Sequence, residues 1–405
     1  MKILFLETRE LSYSSSTVFM EELKEAFFNL GDTVYHFIVT DIEKSEDVLE
    51  KLLKIAYQKK FDFIFDVNSI LPLLYEDNKP YLDCFEIPFV DYIVDHPIHQ
   101  AHVLDRKLNN FNVICLDESH CKYIRKYYPD IKQTIAMPLA ATSSERGDSY
   151  VKQEINYKQE FISMRDRKID ILFPATYTPL SYFEDILKER GIVYLNCAKQ
   201  CIEIIKDGKT FDIEDIRNML SSECKNASLP LSDVSRYVDK YIREYLRQRA
   251  VEAVLAAGLS LDVIGARWEM YEGKFINRLH IHEPKKYIDI LDYMRLSKTV
   301  LNVQPLFKTA PHDRIYNAMA NGAVAITDFA QMLSGTYEQG ADYIKYDFEN
   351  CENDFERIRS EYFDNNGNEK LESICQNAYK KVIKNDIWED RCNTIKKFVK
   401  KIQLP

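Results

Sequence analysis

No run of 18 apolar residues occurs in the 405-residue chain, so nothing in it reads as a membrane span. The apolar start, residues 1–6, is interrupted at Glu7 and Arg9 and is too short for the core of a signal peptide. A basic excess is missing too. Lys and Arg number 54 against 64 Asp and Glu, a net charge of −10. That balance disfavours a nucleic-acid partner, which needs a broad basic surface, but leaves room for a small anion held by one local Arg/Lys pocket. The nine cysteines are odd in number and lack the rhythm of a disulfide framework, so they read as reduced thiols of a cytoplasmic protein. Cys197 and Cys201 lie one helical turn apart without further ligands and read as buried thiols. Metal-ligand spacing is lacking as well. His96, His99 and His102 recur at intervals of three, but Pro97 breaks the first pair, and a helix cap with surface histidines explains them better.

What is present is an ordinary globular composition, 46% hydrophobic and 29% charged, long enough for two or three domains. Strands are predicted at 2–8, 33–39, 61–67, 88–94, 113–116 and 134–137, with helices at 17–29, 47–58 and 120–127 between them. This alternation calls for a parallel sheet covered by helices on both faces. A turn-rich and polar stretch follows, with a helix expected over 150–164, and a fresh strand starts at 169–173. A long helical tract, 181–257, includes one extended helix from 236. Strands resume at 261–264, 278–281, 299–303 and 323–327, an edge strand is expected at 342–346, and the remainder is helical. The reading is α/β: two tandem Rossmann-like, doubly wound parallel-sheet domains facing across a cleft. They span 1–141 and 168–385, the second with its helical insertion, joined by a linker at 142–167 and followed by a C-terminal helix at 386–405.

Residues 301–328, LNVQPLFKTAPHDRIYNAMANGAVAITD, organise the second domain. They read as strand, polar loop, short helix stopping at Gly322, and strand. Lys308, His312, Asp313 and Arg314 fall between a strand's carboxyl end and a helix's amino end, where backbone N–H groups and the helix dipole favour an anion. Arg314 can hold phosphate in bidentate fashion, and Asn302 closes the strand. The stretch suits a diphosphate grip; a solvated loop with a helix cap is the plain alternative. Thr176, Tyr177 and Thr178 follow the first strand of this domain and can offer hydroxyl and N–H donors, or simply form a turn. Gly265 permits close backbone approach, Trp268 either stacks a base or fills core, and His282 ends a short strand near the expected nucleotide. In the first domain Asp95 and His96 follow the strand at 88–94, where a carboxylate or an imidazole can take a hydroxyl proton.

The order asparagine-ended strand, His-x-Arg, aromatic, Ala-Met-Ala-x-Gly, apolar strand, Thr-Asp resembles the donor segment of GT-B glycosyltransferases. It is similar above all to the CgeB-like, spore-maturation branch of family-1-type enzymes. Asp262 to Gly265 with Trp268, the stretch 287–297, and the late Trp388 and Arg391 fit the same branch. The resemblance covers roughly residues 168–400. It implies a metal-independent hexosyltransferase without cofactor, moving sugar from a nucleotide diphosphate to a hydroxyl or protein side chain. The diphosphate is held by Lys308 and Arg314, and Asp95 or His96 serves as base. It also implies that Thr8, Arg9, Ser14 and His99, at the strand ends of the first domain, hold acceptor. One departure matters: where many retaining enzymes carry two glutamates, this chain has Thr309 and Asn317, and a ribose diol would meet a neutral amide instead of a carboxylate. Two other readings fit the two-domain scaffold, a nucleotide-sugar or sugar-phosphate epimerase and a non-catalytic nucleotide-sugar-binding partner subunit. The lysines at 380, 381, 384, 396, 397, 400 and 401 form a basic tail able to touch an anionic membrane, or a solvated helix face.

Overall fold

The computed structural model describes residues 1–8, 11–39, 60–76, 79–144, 161–207, 209, 212–226, 230–306, 309–328, 331–364 and 367–403. The expected helix at 47–58, most of the expected helix at 150–164, and the side chains of Arg9 and Lys308 lie outside them. The chain divides into two compact units, Met1–Ala140 with Ile387–Pro405, and Ala141–Asp386.

The first unit is built on β1 (Lys2–Glu7), β2 (Thr33–Ile38), β3 (Phe63–Val67), β6 (Phe89–Ile93), β7 (Phe111–Cys115) and β8 (Gln133–Ala136). They form one parallel sheet in the order β2-β1-β3-β6-β7-β8. A small antiparallel pair, β4 (Tyr75–Glu76) with β5 (Lys79–Pro80), lies apart from it; the apolar pattern carries no sign of so short a hairpin. Every residue of β3, β6 and β7 is buried, and each reads as an apolar run with one polar residue, Asp66, Asp91 or Asn112, whereas the edge strands β2 and β8 are half exposed. The helix Ser15–Asn29 packs beside Trp388–Ile402, the last helix of the chain. Trp388 lies 5.8 Å from the Phe19 ring, and the buried Arg391 donates to the carbonyls of Pro138 (2.8 Å) and Leu139 (3.2 Å). The C-terminal helix is therefore part of the first unit.

The second unit repeats the plan with β9 (Ile169–Pro174), β10 (Leu261–Ile264), β11 (Leu279–His282), β12 (Ser297–Asn302), β13 (Val324–Thr327) and β14 (Ile344–Lys345). The order is β11-β10-β9-β12-β13-β14, all parallel. The helical tract resolves into Leu180–Arg190, Ile192–Lys206, Ile213–Asn226 and Leu231–Ala256. Both described ends of the expected linker belong to this unit. Thr142 N–H donates to Asn317 (2.8 Å), and the Arg167 guanidinium donates to the carbonyls of Ser297 (2.7 Å) and Gly322. The basic tail is split between helices of different units: Lys381 pairs with Asp342 in the second, and Lys396 with Asp32 in the first at 2.5 Å. Among the described residues no helix is long and apolar enough to cross a membrane.

Candidate functional site

In the second sheet the chain builds outward from β9 through β10 to β11, then returns to add β12 on the other side of β9. Loops leaving β9 and β12 diverge, and the carboxyl ends of such a strand pair form the usual binding crevice of an open α/β sheet. β9 ends at Pro174 and β12 at Asn302. Arg314, in the first turn of the helix Asp313–Ala320, reaches back across both ends. Its Nη1 donates to Asn302 Oδ1 (2.8 Å) and its Nη2 to the Pro174 carbonyl (2.9 Å), with the guanidinium carbon 5.5 Å from the centre of the Phe173 ring. A guanidinium has five N–H donors; two are used here, and the others have no partner among the described residues.

The electrostatics around Arg314 favour an incoming anion. Burial lowers its proton affinity to a pKa of about 10; Asp313 opposes that shift and Arg247 adds to it. Arg247, from the helix Leu231–Ala256, donates to Glu244 (2.7 Å) and to the Thr176 carbonyl (3.4 Å), just past β9. Two cations thus converge on one strand end. Burial would push the Asp313 carboxyl up, but His312, Arg314 and the Tyr287 hydroxyl (2.9 Å) together hold it far below the usual range. His312 Nδ1 stands 2.6 Å from Asp313 Oδ1 and 3.2 Å from the Arg314 N–H. Nδ1 accepts the Arg314 N–H, so the His312 side chain caps the first turn of the Asp313–Ala320 helix. Burial pushes the His312 pKa down despite that carboxylate, with Arg314 and Arg247 acting in the same direction.

The remaining donor candidates divide into supports and surfaces. Asn302 and Gln304 are buried: Asn302 Nδ2 donates to Thr327 Oγ1 (3.0 Å), Gln304 N–H to Asp328 (2.8 Å) and Gln304 Nε2 to the Ala310 carbonyl (2.6 Å). Together they fix the loop that delivers His312. Asn317 is 1% exposed. Its carbonyl accepts from Thr142 N–H, and its amide donates to the Tyr287 hydroxyl (2.6 Å) and to Asp313 (3.2 Å), so it braces Asp313 instead of facing a ribose. Of the two roles open to Trp268, the structure shows the core-filling one, since it is 1% exposed. The indole stacks on Tyr177 (5.1 Å) and donates to the Ala175 carbonyl (2.5 Å). Thr178 Oγ1 accepts from Arg267 (2.8 Å), and the Tyr177 carbonyl accepts from the same guanidinium (3.0 Å). Gly265 is required by contact: a Cβ there would lie 2.2 Å from the Ala175 carbonyl oxygen. His282, at the end of β11, is 30% exposed and bonds Asp262 at 2.6 Å. Tyr177 also lines a separate cavity of about 720 Å³ with Leu180, Glu252, Met270 and Phe275, which Arg314 does not reach.

In the first unit the corresponding place is the carboxyl ends of β1, β3 and β6. Asp95 is half-buried, its Oδ2 accepting from Asn68 Nδ2 (3.0 Å) while Oδ1 has no partner among the described residues. His96 does not suit the role of base. Its Nδ1 accepts the Ile98 N–H (3.1 Å), so the neutral ring carries its proton on Nε2, and the ring packs edge-on against His120 (4.6 Å) and Tyr123 (4.8 Å). Thr8 is buried with its hydroxyl donated to Asp66 (2.5 Å), which corrects its assignment to acceptor binding. Ser14 precedes the helix Ser15–Asn29 in the left-handed conformation, and His99 lies half-buried in the short turn Pro97–Gln100. Asn68, Asp66 and Arg247 escaped the sequence reading. Asp66 and Asp91 interrupt otherwise apolar strands, and that was the available signal.

The model of the family described as glycosyl transferase-like matches residues 243–397. No curated protein matches the chain. Among solved structures, an alpha-glucosyltransferase in complex with UDP is similar over all of both chains, with a TM-score of 0.57 and 12% identity. A glycosyltransferase from Rickettsia africae covers 99% of this chain and 98% of its own, with a TM-score of 0.54 and 10% identity. Anabaena HepE in complex with UDP covers 99% and 100%, with a TM-score of 0.51 and 12% identity. Two six-stranded parallel sheets with their helices, matched end to end by these structures, give this chain the GT-B fold, with a glycosyl transferase-like segment over 243–397.

Proposed function

We propose that the protein is a cytoplasmic hexosyltransferase of the CgeB-like branch, moving sugar from a nucleoside diphosphate donor to a hydroxyl or protein side-chain acceptor without a metal. The supporting observation is the placement of Arg314. A half-buried guanidinium bridges the two strand ends at the switch point of the second sheet, with most of its donors uncommitted and Arg247 beside it. UDP complexes of proteins with the same fold agree with a nucleoside diphosphate as the ligand.

In the reaction the bond from the anomeric carbon to the diphosphate oxygen breaks, and a bond to the acceptor oxygen forms. The acceptor proton passes to the Asp95 carboxylate in the first unit. The electron pair leaves with the diphosphate, whose growing charge is stabilised by Arg314, Arg247 and the amino end of the helix Asp313–Ala320. These fixed cations occupy the electrostatic role that a divalent ion fills in other transferases.

The test is calorimetric titration of nucleoside diphosphates, followed by assay of diphosphate release from a panel of nucleotide sugars in the presence of a chelator. Arg314→Ala should weaken diphosphate binding by about 2–3 kcal/mol, on the order of 30- to 150-fold in Kd. Unchanged affinity removes the site. Interconversion of sugars without release would identify an epimerase, and binding without turnover a non-catalytic subunit.

A further inference from the structure

We propose that Asn68 is a positioning residue for Asp95, held in place by the Asp66–Asp91 carboxyl pair beneath it; this rests on Asp95 being the base. Asn68 follows β3 with φ at +48°, a left-handed conformation that asparagine tolerates better than most residues. It is 1% exposed and fastens the chain leaving β6 at three points. Its N–H donates to the Tyr92 carbonyl (3.1 Å), its side-chain oxygen accepts from Val94 N–H (3.0 Å), and its amide nitrogen donates to Asp95 Oδ2 (3.0 Å). One side chain therefore sets both the path of the backbone before Asp95 and the direction of its carboxylate.

The turn carrying Asn68 leaves no backbone donor loose. Val67 N–H donates to Asp66 Oδ1 (2.7 Å), Ser69 N–H to Asp91 Oδ1 (3.0 Å), Ile70 N–H to Thr8 Oγ1 (3.1 Å) and Leu71 N–H to Ser69 Oγ (3.2 Å). Asp66 and Asp91 are direct neighbours in the register of β3 and β6, both at most 1% exposed, and Asp91 Oδ2 has no partner among the described residues. Two carboxyls side by side in a sheet interior are a costly arrangement. Its evident product here is a rigid turn that presents Asn68 to Asp95.

A double-mutant cycle tests this in the full-length protein. Asn68→Gly keeps the left-handed backbone without strain and removes both side-chain bonds. With the nucleotide sugar selected from the panel, Asn68→Gly should lower kcat roughly 10- to 100-fold, leaving donor KM and diphosphate affinity unchanged. In an Asp95→Asn background the same substitution should have no further effect, because Asn68 acts through Asp95. Independent losses in the two backgrounds, or a loss of donor affinity equal to the loss of kcat, would overturn the positioning role. If Asp95→Asn alone leaves turnover intact, or the wild-type protein turns over no donor, the base assignment or the transferase reading fails instead, and this inference with it.

Discussion

Arg247 lies far ahead of Arg314 in the sequence, on another helix, and no spacing rule connects them. Only the fold brings its charge close enough to lower the proton affinity of both Arg314 and His312. Arg247→Ala should weaken diphosphate binding by about 3- to 30-fold, less than Arg314→Ala, because its head group is already committed to Glu244. Titration decides it, and an unchanged Kd would confine Arg247 to holding the Thr176 carbonyl.

The buried acids of the first unit carry a pH signature. Burial lifts the Asp66 pKa from 3.8 to about 7, and burial with the neighbouring Asp66 charge lifts that of Asp91 well above 3.8. The unfolded carboxyls release their protons near 4 and the folded ones only at higher pH. Between those limits the folded state holds more protons, so stability falls as pH rises. Asp91→Asn keeps an acceptor for Ser69 N–H and removes one titrating group. The urea midpoint of the first unit should therefore exceed that of the wild type at pH 8, with the gap closing toward pH 4. A pH-independent gap would mean that the pair exchanges no proton between these states.

At the level of elements, the strands were readable because a fully buried parallel strand shows as a mainly apolar run, as in β3, β6 and β13, even with Asp66 and Asp91 inside the first two. The Asp313–Ala320 helix was readable from the polar loop ahead of it and from Gly322 behind it, although its cap is His312 and not Asp313. The place of Asn317 was not readable, and Trp268 stayed open between core and ligand, since the sequence does not say on which side of a packed layer a large or polar group finishes. Both ended as braces, Trp268 beneath Tyr177 and Asn317 beside Asp313. Gly265 holds the β10 end against the loop after β9 at a distance no side chain allows. Gly265→Ala should cost about 1–3 kcal/mol in denaturant titration and weaken diphosphate binding by shifting Ala175 and Thr176. Loss of stability with intact binding would show that the displacement stops short of Arg247.

For the molecule as a whole, the division into two sheets was legible from the restart of a strand at Ile169. The return of the chain end to the first unit was not, because the contacts of Trp388 and Arg391 lie hundreds of residues away. Trp388→Ala should destabilise the first unit by about 3–5 kcal/mol while leaving diphosphate binding in the second unchanged. Differential scanning calorimetry would show one transition moving and the other staying. Where the second unit begins and ends, Ala141 N–H donates to the Asp386 carbonyl at 2.8 Å, so the segment 141–386 starts and stops at one place.

The Trp388–Ile402 helix gives this topology a consequence during synthesis. β1 is translated ahead of the whole second sheet, yet the helix packed beside Ser15–Asn29 is translated only after it. The second unit can thus mature on the nascent chain, while the first waits, with Phe19 and Leu23 uncovered, until the Trp388–Ile402 helix emerges.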